Sequence, residues 1–186
     1  ATSEELANAD LVVVLPTIDY PSPDGDLTLY DEAWRDEEIG SLLAYVEGGG
    51  LLVLTNSANR ILLGMVFEAN EDKRDVNALS EHFGIVFEES SMSAARARIQ
   101  EEHPLTESQS GLTLIRGNSV PFTMQSGGTL AEVNGMPVVG LVDYGEAGGQ
   151  VLVLVDVGIL GIAGLGPSES DNLSFVRNLA RFARNR

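Results

Sequence analysis

"VEGGGLLVLTNSANRILLG", residues 46–64, leaves a helix, crosses three glycines, enters an apolar run and breaks into Thr55-Asn56-Ser57. Immediately upstream, Ile39, Leu42, Leu43 and Val46 recur at i, i+3, i+4 and i+7, which places one apolar face on a helix. Gly48 stands just past the last of them, where a left-handed residue closes a helix, and Gly49 and Gly50 allow a tight turn into a strand over residues 51–55. Further back, "LVVVLPT", residues 11–17, is a continuous apolar run ending at proline, the pattern of a strand covered on both faces, as in parallel sheets. The segment between, "IDYPSPDGDLTLYDEAW", is rich in Pro, Asp and Gly and reads as a loop over the strand's carboxyl end. Strand, loop, helix and strand make a βαβ unit, so the two strands are expected to be parallel with a right-handed crossover.

The rest of the chain extends an α/β core. In "VNALSEHFGIVFEE", Val76, Leu79 and Phe83 have helical spacing, Gly84 stops the helix, and residues 85–87 form a short strand. Strands are expected over 112–115, 120–124, 129–133 and 137–143. Gly-rich turns and no long helices separate them, so they are read as antiparallel pairs at a sheet edge. Residues 151–155 are again a continuous apolar strand. "SDNLSFVRNLARFARNR" closes the sequence as a helix, with Asp171 as N-cap and Leu173, Val176, Leu179, Ala180 and Ala183 as its buried face. Arg181, Arg184 and Arg186 suit the negative end of its dipole. Without an internal repeat, residues 1–186 read as one domain.

Composition excludes several functions. At 186 residues the chain can bury a real core without staples. It has no Cys, which rules out disulfides, thiolate metal sites and a cysteine nucleophile. The 28 acidic residues against 11 basic ones give a net charge of −17, which argues against nucleic acid and anionic membranes as partners. No apolar run approaches the roughly 20 residues of a membrane span, and "ATSEELANAD" lacks the segments of a signal peptide. A soluble chain of unassigned compartment is expected.

"ADLVVVLPT", "AYVEGGGLLVLTNS", the "EEHPLTES" turn and "GGQVLVLVDVGILG" followed by "DNLSFVRNLARF" occur in that order across most of the chain. In that order they resemble the glutamine-amidotransferase-like superfamily. The resemblance is to its non-catalytic branch, found beside carbohydrate-active enzymes, in gliding and transport assemblies and in intraflagellar transport. It implies a flavodoxin-like three-layer sandwich with a mainly parallel central sheet and antiparallel edge strands. Such domains open with an extra strand and helix before the strand at 11–17. The resemblance therefore implies that a first strand-helix unit is missing and that the chain is part of a longer protein.

In catalytic members of that superfamily the turn after the glycine-led strand holds a cysteine, with a histidine and a glutamate as its base and orienter. Here the turn reads "LTNSANR", and a chain without Cys cannot hydrolyse glutamine by that route. Ser57 could replace the cysteine only with a base and oxyanion donors in reach, and its flanks, Thr55-Asn56 and Ala58-Asn59, depart from Gly-x-Ser-x-Gly. Of the two histidines, His82 falls on the polar side of a helix and reads as surface, while His103, before a proline in a turn, reads as a packing or ligand-lining residue.

Asp19, Asp24, Asp26, Asp31 and Glu32 crowd the loop above the sheet's carboxyl edge but lack the frame of a calcium loop, so a solvated acidic loop and no metal are expected. The glycines of "GILGIAGLG" lack a phosphate-loop lysine and read as a flexible turn. The expected function is a non-catalytic module that binds a small molecule, a carbohydrate or a protein, a homo-oligomer among the options, with no cofactor. Thr17, Thr55, Asn56, Ser57, His103 and Asp156 are its ligand-lining candidates. The alternative is a serine hydrolase using Ser57 with His103. A third reading, a structural assembly domain, predicts an exposed apolar sheet edge.

Overall fold

The computed structural model describes residues 5–6, 8–15, 33–57, 59–62, 65–68, 76–161 and 170–186. In chain order these form β1 (Val12–Val14), α1 (Asp36–Glu47), β2 (Leu51–Thr55), β3 (Asn59–Leu62) and β4 (Met65–Glu68). A one-turn helix Asn77–Ser80 runs into a 3-10 turn Glu81–Phe83, followed by β5 (Ile85–Phe87), β6 (Arg96–Ile99), β7 (Gly111–Thr113) and β8 (Phe122–Met124). Then come β9 (Gly128–Val133), β10 (Met136–Tyr144), β11 (Gly149–Leu154), a 3-10 turn Val157–Leu160 and α2 (Ser170–Arg184).

The βαβ unit forms as the apolar pattern requires. β1 lies parallel to β2, with Val12 opposite Leu52 and Val14 opposite Leu54. The strand is shorter than residues 11–17, and Pro16 and Thr17 lie outside the described residues. α1 begins with Asp36, Glu37 and Glu38 at the positive end of its dipole, and the Glu38 carboxylate accepts the Arg35 backbone N–H at 3.1 Å. Its left-handed closing residue is Gly49, at φ 101°, and not Gly48, which has φ −75°. Gly50 serves another need: a Cβ there would lie 2.4 Å from the Tyr45 ring, which packs back over the turn.

β1, β2, β11, β10, β9, β6 and β7 make one seven-stranded sheet in that order. β11 runs parallel to β2, with Leu152 opposite Val53, and both strands are fully buried apart from the half-buried Gln150. The protein is thus α/β, but the sheet is mixed where a mainly parallel one was expected. Pairings from β11 through β10, β9 and β6 to β7 are all antiparallel. For β9–β10 and β10–β11 the cause is connection length: the Asn134-Gly135 turn, at φ 51° and 83°, and residues 145–148 leave room only for hairpins. Nor does the strand expected at 120–124 join this sheet, because β8 pairs with β5 in a separate two-stranded ladder, as β3 does with β4. The stop at Gly84 is as read, with φ 70°.

α2 is turned about its axis from the expected face. Phe175, Leu179 and Ala183 are buried together with Asn172 and Asn178, whereas Leu173 is 49% exposed and Ala180 faces solvent. Two asparagines set that rotation. Asn172 accepts the Thr113 N–H at 2.8 Å and donates to the Thr113 carbonyl at 3.0 Å, so its amide takes the place of a neighbouring strand at the outer edge of β7. Asn178 donates to the carbonyls of Leu105 and Glu107. Asp171 sits within the first helical turn instead of capping it, and its carboxylate binds the Arg96 guanidinium at 2.6 Å. Among the described residues no helix is long and apolar enough to cross a membrane.

Candidate functional site

The carboxyl ends of β2 and β11 lie side by side and carry a buried polar network. Thr55 ends β2, and its hydroxyl donates to the Val14 carbonyl at 3.1 Å, which ties β2 to β1. The half-buried Asn56 side chain accepts the Ser57 N–H at 2.8 Å. Ser57 is 2% exposed, and its hydroxyl accepts from Asn118 Nδ2 at 3.3 Å. Two residues past β11, Asp156 is wholly buried. Its Oδ1 accepts from Gly158 N–H at 2.8 Å and Asn118 Nδ2 at 3.1 Å, and its Oδ2 accepts from Ile115 N–H at 3.0 Å and the Ser119 hydroxyl at 3.1 Å.

A carboxylate out of water is costly unless donors replace its hydration, and four donors surround this one. It caps the 3-10 turn after β11 and anchors the loop leading into β8. With those donors in place it holds structure, tying two loops to the end of β11. Asn118 joins Ser57 to Asp156 through an amide, which relays no proton as an imidazole would. The sequence pointed to Asp156 and Ser57 but not to Asn118 and Ser119, whose Asn-Ser pair between Ile115 and Val120 resembles any surface turn. They are buried because the carboxylate beneath needs their donors.

His103 does not join this network. Its ring packs edge-on against Phe182 of α2, with centroids 5.4 Å apart. Its Nδ1 accepts the Leu105 N–H at 3.2 Å, and Thr106 closes the His-Pro turn by accepting the His103 N–H and donating to the Glu101 carbonyl. The Arg186 guanidinium lies over the same Phe182 ring and donates to the Gly148 carbonyl, just before β11. His103 therefore lies toward the amino ends of the parallel strands and Ser57 beyond their carboxyl ends. The span of β2 alone, about 13 Å at roughly 3.3 Å per residue, separates those two levels. The structure does not bring Ser57 and His103 together. His82 is exposed in its 3-10 turn, as the sequence indicated. Thr17 and the acidic loop residues Asp19 to Glu32 lie outside the described residues, as do the glycines after Gly161.

Burial holds the His103 imidazole below its ordinary pKa of 6.5, against the opposing pull of Glu101 and Asp143. The unfolded chain then takes up this proton first as pH falls. The histidine's contribution to stability is full above about pH 6.5 and is lost as pH drops through the lower, folded value. Urea midpoints measured from pH 8 to pH 5 should decline below about pH 6.5, and less steeply in His103→Asn, which keeps an acceptor near Nδ1. Equal slopes in the two proteins would remove His103 as the source.

Among the described residues, no three His, Asp or Glu side chains converge as metal ligands. A surface cleft of about 490 Å³ opens at the amino ends of the strands, between Leu6, Asp10, Tyr45, Gly49, Leu51 and Arg186. Its polar groups are largely committed. The Tyr45 hydroxyl accepts the Leu51 N–H and lies 3.1 Å from the Ala9 carbonyl, burial raises its pKa, and the Arg186 guanidinium donates to the Gly148 carbonyl.

The fold has solved counterparts. The mmIFT52 N-terminal domain matches all of this chain over 82% of its own length, with a TM-score of 0.66 and 13% identity. The cytoplasmic protein STM1381 from Salmonella typhimurium LT2 matches 99% of the chain over 74% of its length, at TM-score 0.62 and 17% identity. A cold-adapted beta-galactosidase from Rahnella sp. R3 matches 96% of the chain at TM-score 0.55 and 17% identity, but over only 24% of its own length. Likeness at such identities is likeness of fold. No protein-family model matches the chain, and no curated protein sequence does.

Proposed function

We propose that this chain is a non-catalytic binding and assembly module, with the three-layer architecture of the amidotransferase-like domains, acting through a protein partner as part of a larger protein. One observation carries the reading: at the turn where a nucleophile would stand, the Ser57 hydroxyl is buried against the Asn118 amide, while the His103 ring packs on Phe182 of α2 with its Nδ1 accepting the Leu105 N–H. The burial of β2, and of β11 apart from Gln150, supports the layered architecture, because such strands need cover on both faces. The match to a quarter of a beta-galactosidase chain fits a unit carried inside a longer protein. Assembly is further supported by β1, the outermost strand at one side of the sheet among the described residues, where Val13 and, just past the strand, Leu15 are 38% and 46% exposed.

The test is intact mass after treatment with a fluorophosphonate probe, for the protein and for Ser57→Ala. Neither should carry an adduct. A single adduct on the protein that disappears in the variant would restore the serine hydrolase and overturn the module.

A further inference from the structure

We propose that the exposed face of α2 is a docking surface for an acidic segment of a partner protein. The inference rests on the assembly reading and names its partner's chemistry. Arg177, Arg181 and Arg184 stand at i, i+4 and i+7 and are all exposed. With Ala180 as a low floor between them and Asn185 at one end, they line a shallow groove of about 440 Å³. The chain has 11 basic residues against 28 acidic ones, yet three of the basic ones share this short row.

Stability does not explain the row. Like charges one turn apart repel, and the helix dipole rewards cations only in the last turn, which holds Arg181 and Arg184 but not Arg177. Arg181 meets the exposed Glu107 carboxylate at 3.4 Å, whereas Arg177 and Arg184 make no ion pair among the described residues. A planar guanidinium is suited to paired bonds with a carboxylate. Seven residues of helix place the outer arginines about 10 Å apart, a spacing matched by carboxylates two turns apart on a helix or every third residue on an extended strand. Leu173 continues the row one turn before Arg177 and is 49% exposed, so the partner segment should place an apolar residue beside its acidic ones.

The choice of occupant follows from charge. A net charge of −17 repels nucleic acid, anionic lipid and a second copy of the chain at long range, whereas a short acidic segment can reach the row without bringing a large charged body with it.

The experiment measures fluorescence anisotropy of a labelled oligoglutamate peptide with a terminal leucine, titrated with the full chain, its Ser57→Ala variant and the double variant Arg177→Glu/Arg184→Glu. Binding should weaken at least about tenfold in the double variant, fall as salt rises, and be unchanged by Ser57→Ala. The milder Arg177→Gln/Arg184→Gln pair, with its fold checked by circular dichroism, should lose affinity in the same direction. The surface is overturned by equal affinity in folded variants or by no binding at all. Tighter binding to duplex DNA or phosphatidylserine vesicles, or self-association by light scattering without peptide binding, would overturn it too. A fluorophosphonate adduct on Ser57 would instead overturn the assembly reading, whatever the peptide does.

Discussion

Asp156→Ala should lower the free energy of unfolding by about 3 to 5 kcal/mol, read from urea denaturation at neutral pH. The residue is wholly buried, and its removal strands two backbone N–H groups, of Ile115 and Gly158, and one amide hydrogen of Asn118, while the Ser119 hydroxyl can turn to the Ile115 carbonyl at 3.4 Å. Each buried donor left without a partner costs about 1 to 3 kcal/mol, less where water enters the gap. Asp156→Asn should cost roughly half as much, about 2 kcal/mol, because the damage can be confined to one side. With its amide nitrogen at the Oδ2 position, the asparagine keeps Gly158 and Asn118 on oxygen, and the Ser119 hydroxyl can turn to accept. Only the Ile115 N–H then faces a donor. Ser57→Ala removes a single contact of 3.3 Å and should change stability by less than about 1 kcal/mol. An Asp156→Ala protein within about 1 kcal/mol of the parent would show that the carboxylate is not the anchor of this edge.

What the sequence disclosed of this arrangement depends on the range of the interactions involved. The βαβ unit was legible because its signals are local: the spacing of Ile39 to Val46, the glycines that follow, and an apolar strand at 51–55 found at those limits. The face of α2 was not. Leu173 and Ala180 fit the apolar stripe as well as Phe175 does, and what decides between them is the bond of Asn172 to Thr113, 59 residues away. A polar residue that binds a distant strand edge overrides an apolar count, and no periodicity records it. The sheet's mixed character was partly on view, since the Asn134-Gly135 turn marks a hairpin. The order in which those hairpins join β11 is a property of the assembled sheet. Asp156 was recognised as a polar strand end, but its inward direction was hidden because Asn118, Ser119 and Ile115 reach it from another loop. The same distance effect separated Ser57 from His103: residue types suited to a catalytic pair were present, but Ser57 follows β2 and meets Asn118, whereas His103 sits in the turn after β6 and packs on Phe182 of α2.

Gly149→Ala should destabilise the protein by about 3 kcal/mol or more, among the largest effects of any single methyl group added here. A Cβ at Gly149 would lie 1.7 Å from the Val46 carbonyl oxygen and 2.7 Å from its carbon. No real contact is that short, and both atoms are backbone, so no side chain can swing aside. The Val46 carbonyl is further fixed because it accepts the Gly49 N–H at 2.9 Å in the turn that closes α1. Relief requires α1 to lift from the start of β11, which opens the packing of Val46, fully buried, and of the Tyr45 ring over Gly50. The neighbouring Gly148 separates this effect from a general intolerance of the turn. It has φ 77° but nothing within 4 Å of a Cβ, so Gly148→Ala should cost only the left-handed backbone penalty, about 1 kcal/mol. Equal losses at 148 and 149 in thermal or urea melts would mean that backbone conformation governs this turn. A much larger loss at 149 would mean that the closeness of helix to strand does. That closeness is what the glycine-led passage from α1 to β2 leads one to expect: with three glycines on one side and Gly148-Gly149 on the other, two chain turns pass each other without side chains between them.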